Sequence, residues 1–193
     1  MKIRLDFVTN SSSSSFIALN KEDYNNIYSS IQFEEEDKDN FVLFESGNKQ
    51  FGWEQKEYSD MKSKVNYILI QIVDLENYIN RTGYPFRDIS KETVYSYKEK
   101  IESILNKYLG ITKINWEELK IWVDNYDIYV DHQSSFCENS DLEEFVMDNL
   151  EDFLFNSKSV IITGNDNVCN EDEEFNGLDI EYRNNDNYDC ITY

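Results

Sequence analysis

The chain has 193 residues, of which 39 are acidic and 18 basic, and its formal net charge at neutral pH is -21. A surface with this charge repels nucleic-acid phosphates and anionic membranes, which argues against direct nucleic-acid binding and against membrane association. Hydrophobic residues make up 40% of the chain, enough to bury a core, and the length favours one domain.

Two strands and the start of a helix are predicted near the N-terminus. Residues 1–8 alternate apolar and charged side chains, which is the period of a strand. Residues 16–19 form a short apolar run that predicts a second strand. Asn20 can cap a helix that begins at Lys21.

A hairpin is predicted next. Residues 41–44 and 51–53 are short and apolar or aromatic, as strands are, and residues 46–49 between them contain Ser, Gly and Asn, which favour turns.

Two long helices are predicted in the middle of the chain. The first is capped by Ser59 and extends to about residue 80, with apolar residues at spacings of three and four that indicate an amphipathic face. The second begins at Ser90 and extends to about residue 109, where Gly110 ends it. We expect the two helices to form an antiparallel pair.

A second hairpin and a third helix are predicted after this pair. Residues 119–123 and 126–130 flank Asp124 and Asn125, a sequence suited to a tight turn between two strands. Residues 142–155 mix apolar and acidic side chains in the pattern of a helix.

The last predicted elements complete an α+β domain. Residues 160–163 form a buried type of strand that ends in Gly164, and residues 178–182 alternate as an edge strand does. We expect an antiparallel or mixed sheet packed against the pair of long helices. These elements predict a single α+β domain over residues 1–193, with a strongly acidic region from about residue 141.

A run of five serines stands between two predicted strands, and its members are candidate binding residues: Ser11, Ser12, Ser13, Ser14 and Ser15. The structural interpretation is a hydroxyl-rich turn whose side chains bond to local backbone. In the functional interpretation, the hydroxyl groups contact phosphate or carbohydrate, or are sites of modification. A nucleophilic serine would need a base within hydrogen-bond reach, and the chain has one histidine.

The serine run also carries a resemblance. The string MKIRLDFVTNSSSSSFI over residues 1–17 resembles the N-terminal signature of uncharacterised proteins of Firmicutes bacteria and their phages. The resemblance implies an origin in a phage, a prophage or another mobile element. It implies no reaction and no catalytic residue.

The single histidine is the weak catalytic candidate. His132 follows Asp131 at the end of a predicted strand, and imidazole beside carboxylate can serve as a general base or a metal ligand. Asp166, in the polar stretch after Gly164, could add an oxygen ligand for a divalent cation. The structural interpretations are a surface histidine in a polar turn and a tight turn after Gly164.

Cysteine usage and hydropathy indicate a cytoplasmic protein. Cys137, Cys169 and Cys190 are too few and too widely spaced for a disulfide framework. With His132 they total three cysteines and one histidine. A structural zinc site normally contains at least one closely spaced pair of ligands, whereas here His132 and Cys137 are separated by four residues and the others are far apart. The N-terminus does not read as a secretory signal, and no apolar stretch approaches the roughly 20 residues of a membrane span.

The acidic side chains are concentrated near the C-terminus. Residues 141–193 contain 15 acidic and two basic side chains, a net charge of -13. The predicted helix over 142–155 places several acids partly on one side, and these are further candidate binding residues: Glu143, Glu144, Asp148, Glu151 and Asp152. Such a run is ordinarily a solvated face, but carboxylates spaced like phosphates can also imitate nucleic acid.

The charge and the missing catalytic motifs favour a non-enzymatic protein. The chain lacks a glycine-rich nucleotide loop and the HExxH and GxSxG motifs. We expect it to bind a basic surface of a host protein, as a nucleic-acid mimic or an inhibitor, with no cofactor. The alternative is a small hydrolase or metal-dependent enzyme that uses Asp131, His132 and Asp166 with a divalent cation. The sequence leaves the oligomeric state open.

Overall fold

The described part of the chain forms five helices and two sheets. The structure is a computed structural model that describes residues 13–21, 38–52, 56–82, 89–131, 135–137, 140–165, 182 and 185–192. The strands are β1 (Ser13–Asn20), β2 (Gln50–Phe51), β3 (Lys56–Tyr58), β4 (Tyr129–Val130), β5 (Val160–Asn165) and β6 (Tyr188–Thr192). The helices are α1 (Met61–Thr82), α2 (Lys91–Leu109), α3 (Trp116–Asn125), α4 (Ser140–Asp148) and α5 (Leu150–Phe155). The α+β class predicted from the sequence is confirmed.

The main sheet is antiparallel, and β1 lies inside it. Its strand order is β3-β5-β1-β6, with Ile17 opposite Ile161 on one side and Ile191 on the other. The predicted strands at 16–19 and 160–163 are confirmed as parts of longer strands. β6 was not predicted, because Asn and Asp dominate the sequence around it.

The two faces of this sheet meet different neighbours, because successive side chains of a strand point to opposite faces. Ile17, Leu19 and Ile161 belong to the main core beneath the helices. Ala18, Val160 and Ile162 form a small cluster on the other face, which is covered in part by three more side chains: Tyr182, Tyr188 and Cys190.

The two long helices pack against each other, as predicted. Glu76, near the end of α1, pairs with Lys98, near the start of α2, at 2.8 Å, as expected for antiparallel helices. Ser90 caps α2 through a capping box with Thr93, and Gly110 ends it with a φ of 68°, which favours glycine. The cap of α1 differs from the prediction, since Asp60 and not Ser59 accepts the backbone N–H of Ser63, at 2.8 Å.

Residues 63–73 of α1 are buried on every side of the helix, so the predicted amphipathic pattern is wrong there. All residues from Ser63 to Val73 are buried, including Lys64, Asn66 and Gln71. A buried polar group is tolerated when it is hydrogen-bonded, and each of these three bonds to backbone outside the helix.

Lys64 is the costliest of the three to bury, because its side chain ends in an amine and is fully buried. Its Nζ donates to the carbonyl oxygens of Asn156 at 2.8 Å and Ser159 at 3.1 Å. The same turn is tied to β1, since the Asn20 N–H donates to Ser159 Oγ and the Asn156 amide donates to the Asn20 carbonyl. Burial lowers the pKa of Lys64 to about 7, against the opposing charge of Asp60.

The predicted hairpin of 41–44 with 51–53 is wrong. Residues 41–44 are buried, and among the described residues they form one isolated bridge, between Phe41 and Ile114. Asn66 bonds both the N–H and the carbonyl of Phe44, each at 2.9 Å. Strand β2 instead pairs in parallel with β4. A side chain from α1 thus takes the backbone groups that a hairpin would have used.

The second predicted hairpin is also wrong, because residues 116–125 form a helix. The Asn115 side chain accepts the Glu118 N–H at 3.1 Å, which caps α3, and only β4 remains of the predicted strand at 126–130. Leu119 is the buried anchor of α3, while Ile121 is 56% exposed. The apolar residues of this segment therefore follow the period of a helix and not the alternation of a strand.

The predicted helix over 142–155 divides into α4 and α5 at Asn149, whose side-chain amide donates to the Phe145 carbonyl at 2.8 Å. The predictions at 1–8, after Lys21 and at 178–181 lie outside the described residues. Among the helices that the structure describes, none combines the length and the apolar character that a membrane span requires.

Replacing Lys64 with Met should change how stability depends on pH. In the parent protein, Lys64 titrates near 7 when folded and near 10.5 when unfolded, so the unfolded chain holds more protons between these values. Across this window, Lys64 therefore raises the free energy of unfolding by up to about 1.4 kcal/mol for each unit of increase in pH. Urea unfolding at several pH values should show that K64M lacks this contribution.

The matched control is K62M, which removes a partly exposed lysine from the same helix. We expect K62M to keep the parental slope. Equal slopes in the parent and in K64M would contradict the role assigned to Lys64.

Candidate functional site

A cleft of about 1050 Å³ lies between the second half of α1 and α3. We call it the α1–α3 cleft. The residues that α1 contributes are polar or charged: Asp74, Asn77, Tyr78, Asn80 and Arg81. The remaining walls come from α3, β4 and a short segment after β4: Lys120, Asp124, Val130, Ser135 and Cys137.

The helical period explains how α1 forms this wall. Asp74, Asn77, Tyr78 and Arg81 are spaced at three and four residues and therefore share one face of the helix. The Asn77 amide donates to Asp124 Oδ1 at 3.0 Å, which joins the two helices across the cleft.

Asp74 has the most perturbed side chain in the cleft. Burial, and secondarily the charge of Asp124, raises the pKa of Asp74 to about 7. A carboxyl group that is half-protonated near neutral pH can donate or accept a proton, and it can bind a cation that replaces the proton.

Positive charges lie in the same cleft. Arg81 stands over the ring of Tyr78, 5.9 Å from its centroid, and Lys120 is one helical turn before Asp124 on α3. The cleft therefore presents two acids and two bases to a ligand.

The segment 135–137 is fixed from within the core. The Phe136 N–H donates to the Gln71 side chain at 3.0 Å, and the Phe136 ring packs on Tyr67 with centroids 6.1 Å apart. This anchoring sets Ser135 and Cys137 at the wall of the cleft.

Asp131 lies beside the cleft, and its neighbour Val130 lines it. Its backbone N–H donates to the Phe51 carbonyl at 2.7 Å, and its side chain packs on Gly52, where an added Cβ would lie 2.7 Å from that of Asp131. His132 and Asp166 lie outside the described residues.

Only part of the serine run lies within the described residues. Ser11 and Ser12 lie outside the described residues, whereas Ser13, Ser14 and Ser15 open β1 and pair with β5. These three residues belong to a strand, not to the predicted turn.

The acidic candidates on α4 and α5 have different environments. Glu144, Asp148 and Asp152 are exposed, and Glu151 pairs with Lys107 at 2.7 Å. We define the acidic face as the exposed carboxylates of Asp141, Glu144, Asp148 and Asp152.

Glu143 is not part of this face. It is 5% exposed and accepts a hydrogen bond from the Tyr97 hydroxyl of α2. Burial, and secondarily Glu144 and Asp148, raises the pKa of Glu143 to about 7. Its side chain therefore serves the contact between α4 and α2.

The structure describes two of the three cysteines that were considered as zinc ligands, and these two contact different parts of the core. Cys137 packs on the main core and Cys190 on the small cluster across the sheet. Cys169 is outside the described residues. Within the described ranges, no group of three or more His, Cys, Asp or Glu is arranged to hold a metal ion.

Sequence reasoning missed the cleft and its central carboxyl group. The signal was the polar face from Asp74 to Arg81, which follows a stretch, residues 67–73, in which six of seven residues are apolar. That change marks the point at which α1 leaves the core.

Comparisons of the chain with protein-family models, with curated proteins and with solved structures give no match.

Replacing Asp74 with Asn should stabilise the protein at neutral and alkaline pH. The folded pKa is about 7 and the usual value is 3.8, so the folded chain holds a proton that the unfolded chain has released between these values. The parent therefore loses stability as pH rises through this window. D74N lacks this loss and should be more stable at pH 8, on the order of 2 kcal/mol.

Chemical denaturation at about pH 4 and about pH 8 measures the effect. D141N, which neutralises an exposed aspartate of α4, is the control and should follow the parent. A D74N variant with the parental pH dependence would show that Asp74 titrates normally.

Proposed function

We propose that the protein is a non-enzymatic interaction protein whose acidic face binds a basic surface of another protein. The observation that carries this proposal is the outward orientation of four carboxylates on two helices whose opposite sides are buried.

The helices that carry the acidic face are packed against the core on their other side. Leu142, Val146 and Met147 of α4 are buried, as are Leu150 and Phe153 of α5. Carboxylates held on a packed backbone lose less conformational freedom on binding than carboxylates on a mobile tail, which favours affinity.

The two nearby lysines bond to groups of α4 and α5 other than the four carboxylates of the acidic face. Lys107 pairs with Glu151, and Lys100 donates to the Met147 carbonyl at the end of α4. Within the described residues, no Lys or Arg forms an ion pair with the acidic face. The field in front of the face is therefore negative and attracts a basic partner.

A nucleic-acid mimic is the more specific form of the proposal. Glu144 and Asp148 are about one helical turn apart, a rise of about 6 Å. This is close to twice the roughly 3.4 Å of axial rise per phosphate on one DNA strand, so the two carboxylates approximate the axial spacing of every second phosphate. The resemblance of residues 1–17 to proteins of Firmicutes and their phages favours a host protein as the target, and the spacing of the carboxylates favours one that binds nucleic acid.

The charge-reversal variant E144K/D148K tests the proposal. Immobilised parent protein should capture basic proteins from a Firmicutes lysate at low salt and release them near 1 M salt, where the Debye length is about 3 Å. The variant should capture the same proteins at least about tenfold less, and duplex DNA should compete with capture by the parent.

The control is E45K/E117K, which makes the same change in net charge at two exposed glutamates of other elements. We expect it to retain capture. Equal losses in both variants would show that only net charge matters, and no capture at low salt would refute the proposal.

A second candidate function is a small hydrolase or a metal-dependent enzyme that uses Asp131, His132 and Asp166. The observation in its favour is that Val130 and Ser135, on either side of Asp131 and His132 in the chain, both line the α1–α3 cleft. Imidazole and carboxylate at such a cleft could act as a base or bind a divalent cation.

Hydrolase substrates assayed with and without Mg²⁺ or Ca²⁺ test this second candidate. Activity that H132A and D131N abolish, and that E144K/D148K retains, would favour the enzyme. Activity equal in H132A and the parent would contradict it.

A further inference from the structure

The α1–α3 cleft contains separated charges of both signs. The ion pairs among the described residues are Lys21–Asp189, Lys98–Glu76 and Lys107–Glu151, so none of them joins the acids and bases of the cleft. The cleft thus offers Asp74 and Asp124 to a cation, and Arg81 and Lys120 to an anion.

The helices set the approximate separation of these groups. Asp74 and Arg81 are seven residues apart on α1, about 10 Å along the axis, and Lys120 and Asp124 are four apart on α3, about 6 Å. The hydrogen bond from Asn77 to Asp124 keeps Asp124 beside the acidic part of α1. A ligand that meets both kinds of charge must therefore carry opposite charges about 6–10 Å apart.

We propose that the α1–α3 cleft binds a short peptide of two or three residues, or a zwitterion of that length. Its ammonium group would lie between Asp74 and Asp124, and its carboxylate would face Arg81 or Lys120. An extended chain spans about 3.3–3.6 Å per residue, so two or three residues match the separation of the charges.

The rest of the cleft suits such a ligand. Asn77, Asn80 and Ser135 supply donors and acceptors for peptide groups, and the volume of about 1050 Å³ is ample for a small ligand. A partly buried carboxyl group near a second carboxyl group is unfavourable when ionised, and a ligand ammonium group reduces that cost.

The probes are trialanine, which has both charges, its N-acetyl form, which is an anion, and its C-terminal amide, which is a cation. Amide NMR spectra of the full chain are recorded during titration with each probe. Trialanine should shift resonances of cleft residues and saturate. Each blocked form should bind about tenfold more weakly or worse, since it lacks one charge-assisted contact.

The variant R81Q/D124N alters two exposed residues of the cleft, and K113Q/D186N removes one positive and one negative charge at exposed sites outside both the cleft and the acidic face. The first should weaken trialanine binding at least tenfold, and the second should leave it unchanged. Equal binding of the three probes, no saturation by trialanine, or equal losses in both variants would overturn the proposal. Because these variants spare Glu144, Asp148 and Asp152, the outcome is independent of capture by the acidic face.

Discussion

Lys64, Asn66 and Gln71 lie inside the core on one helix, and each holds a segment that has no regular structure of its own. Lys64 bonds to the turn between α5 and β5, Asn66 to the chain around Phe44, and Gln71 to Phe136. A buried polar group that loses its partner costs about 1–3 kcal/mol. The helix and these three segments are therefore expected to form and open together.

The same helix supplies the α1–α3 cleft. Its first half is enclosed, and its last two turns emerge with a polar face that begins at Asp74. Gln71, one turn earlier, positions Phe136 and with it Ser135 and Cys137 at the opposite wall. The cleft therefore depends on the hydrogen bonds of the core. The acidic face depends on the same core, since the Phe153 ring of α5 packs on Tyr67 of α1 with centroids 6.2 Å apart.

Local signals in the sequence predicted the fold class and the helix pair. Ser90 and Gly110, for example, mark the two ends of the second helix through local backbone chemistry. The incorrect predictions concern segments whose structure depends on residues that are distant in the sequence. Residues 41–44 have the composition of a strand, but Asn66, 22 positions away, takes the Phe44 backbone. Glu143 belongs to an acidic run, but Tyr97 of another helix holds it inside. The sequence does not reveal the cleft, because the cleft forms only where two helices lie side by side.

Amide hydrogen exchange tests most directly whether the polar side chains of α1 hold the surrounding segments. Phe44 and Phe136 are outside regular helices and strands, yet their N–H groups bond to Asn66 and Gln71. We predict that both amides exchange as slowly as those in the middle of α1, because exchange requires the same opening. Rapid exchange at Phe44 and Phe136 beside a protected α1 would contradict this account.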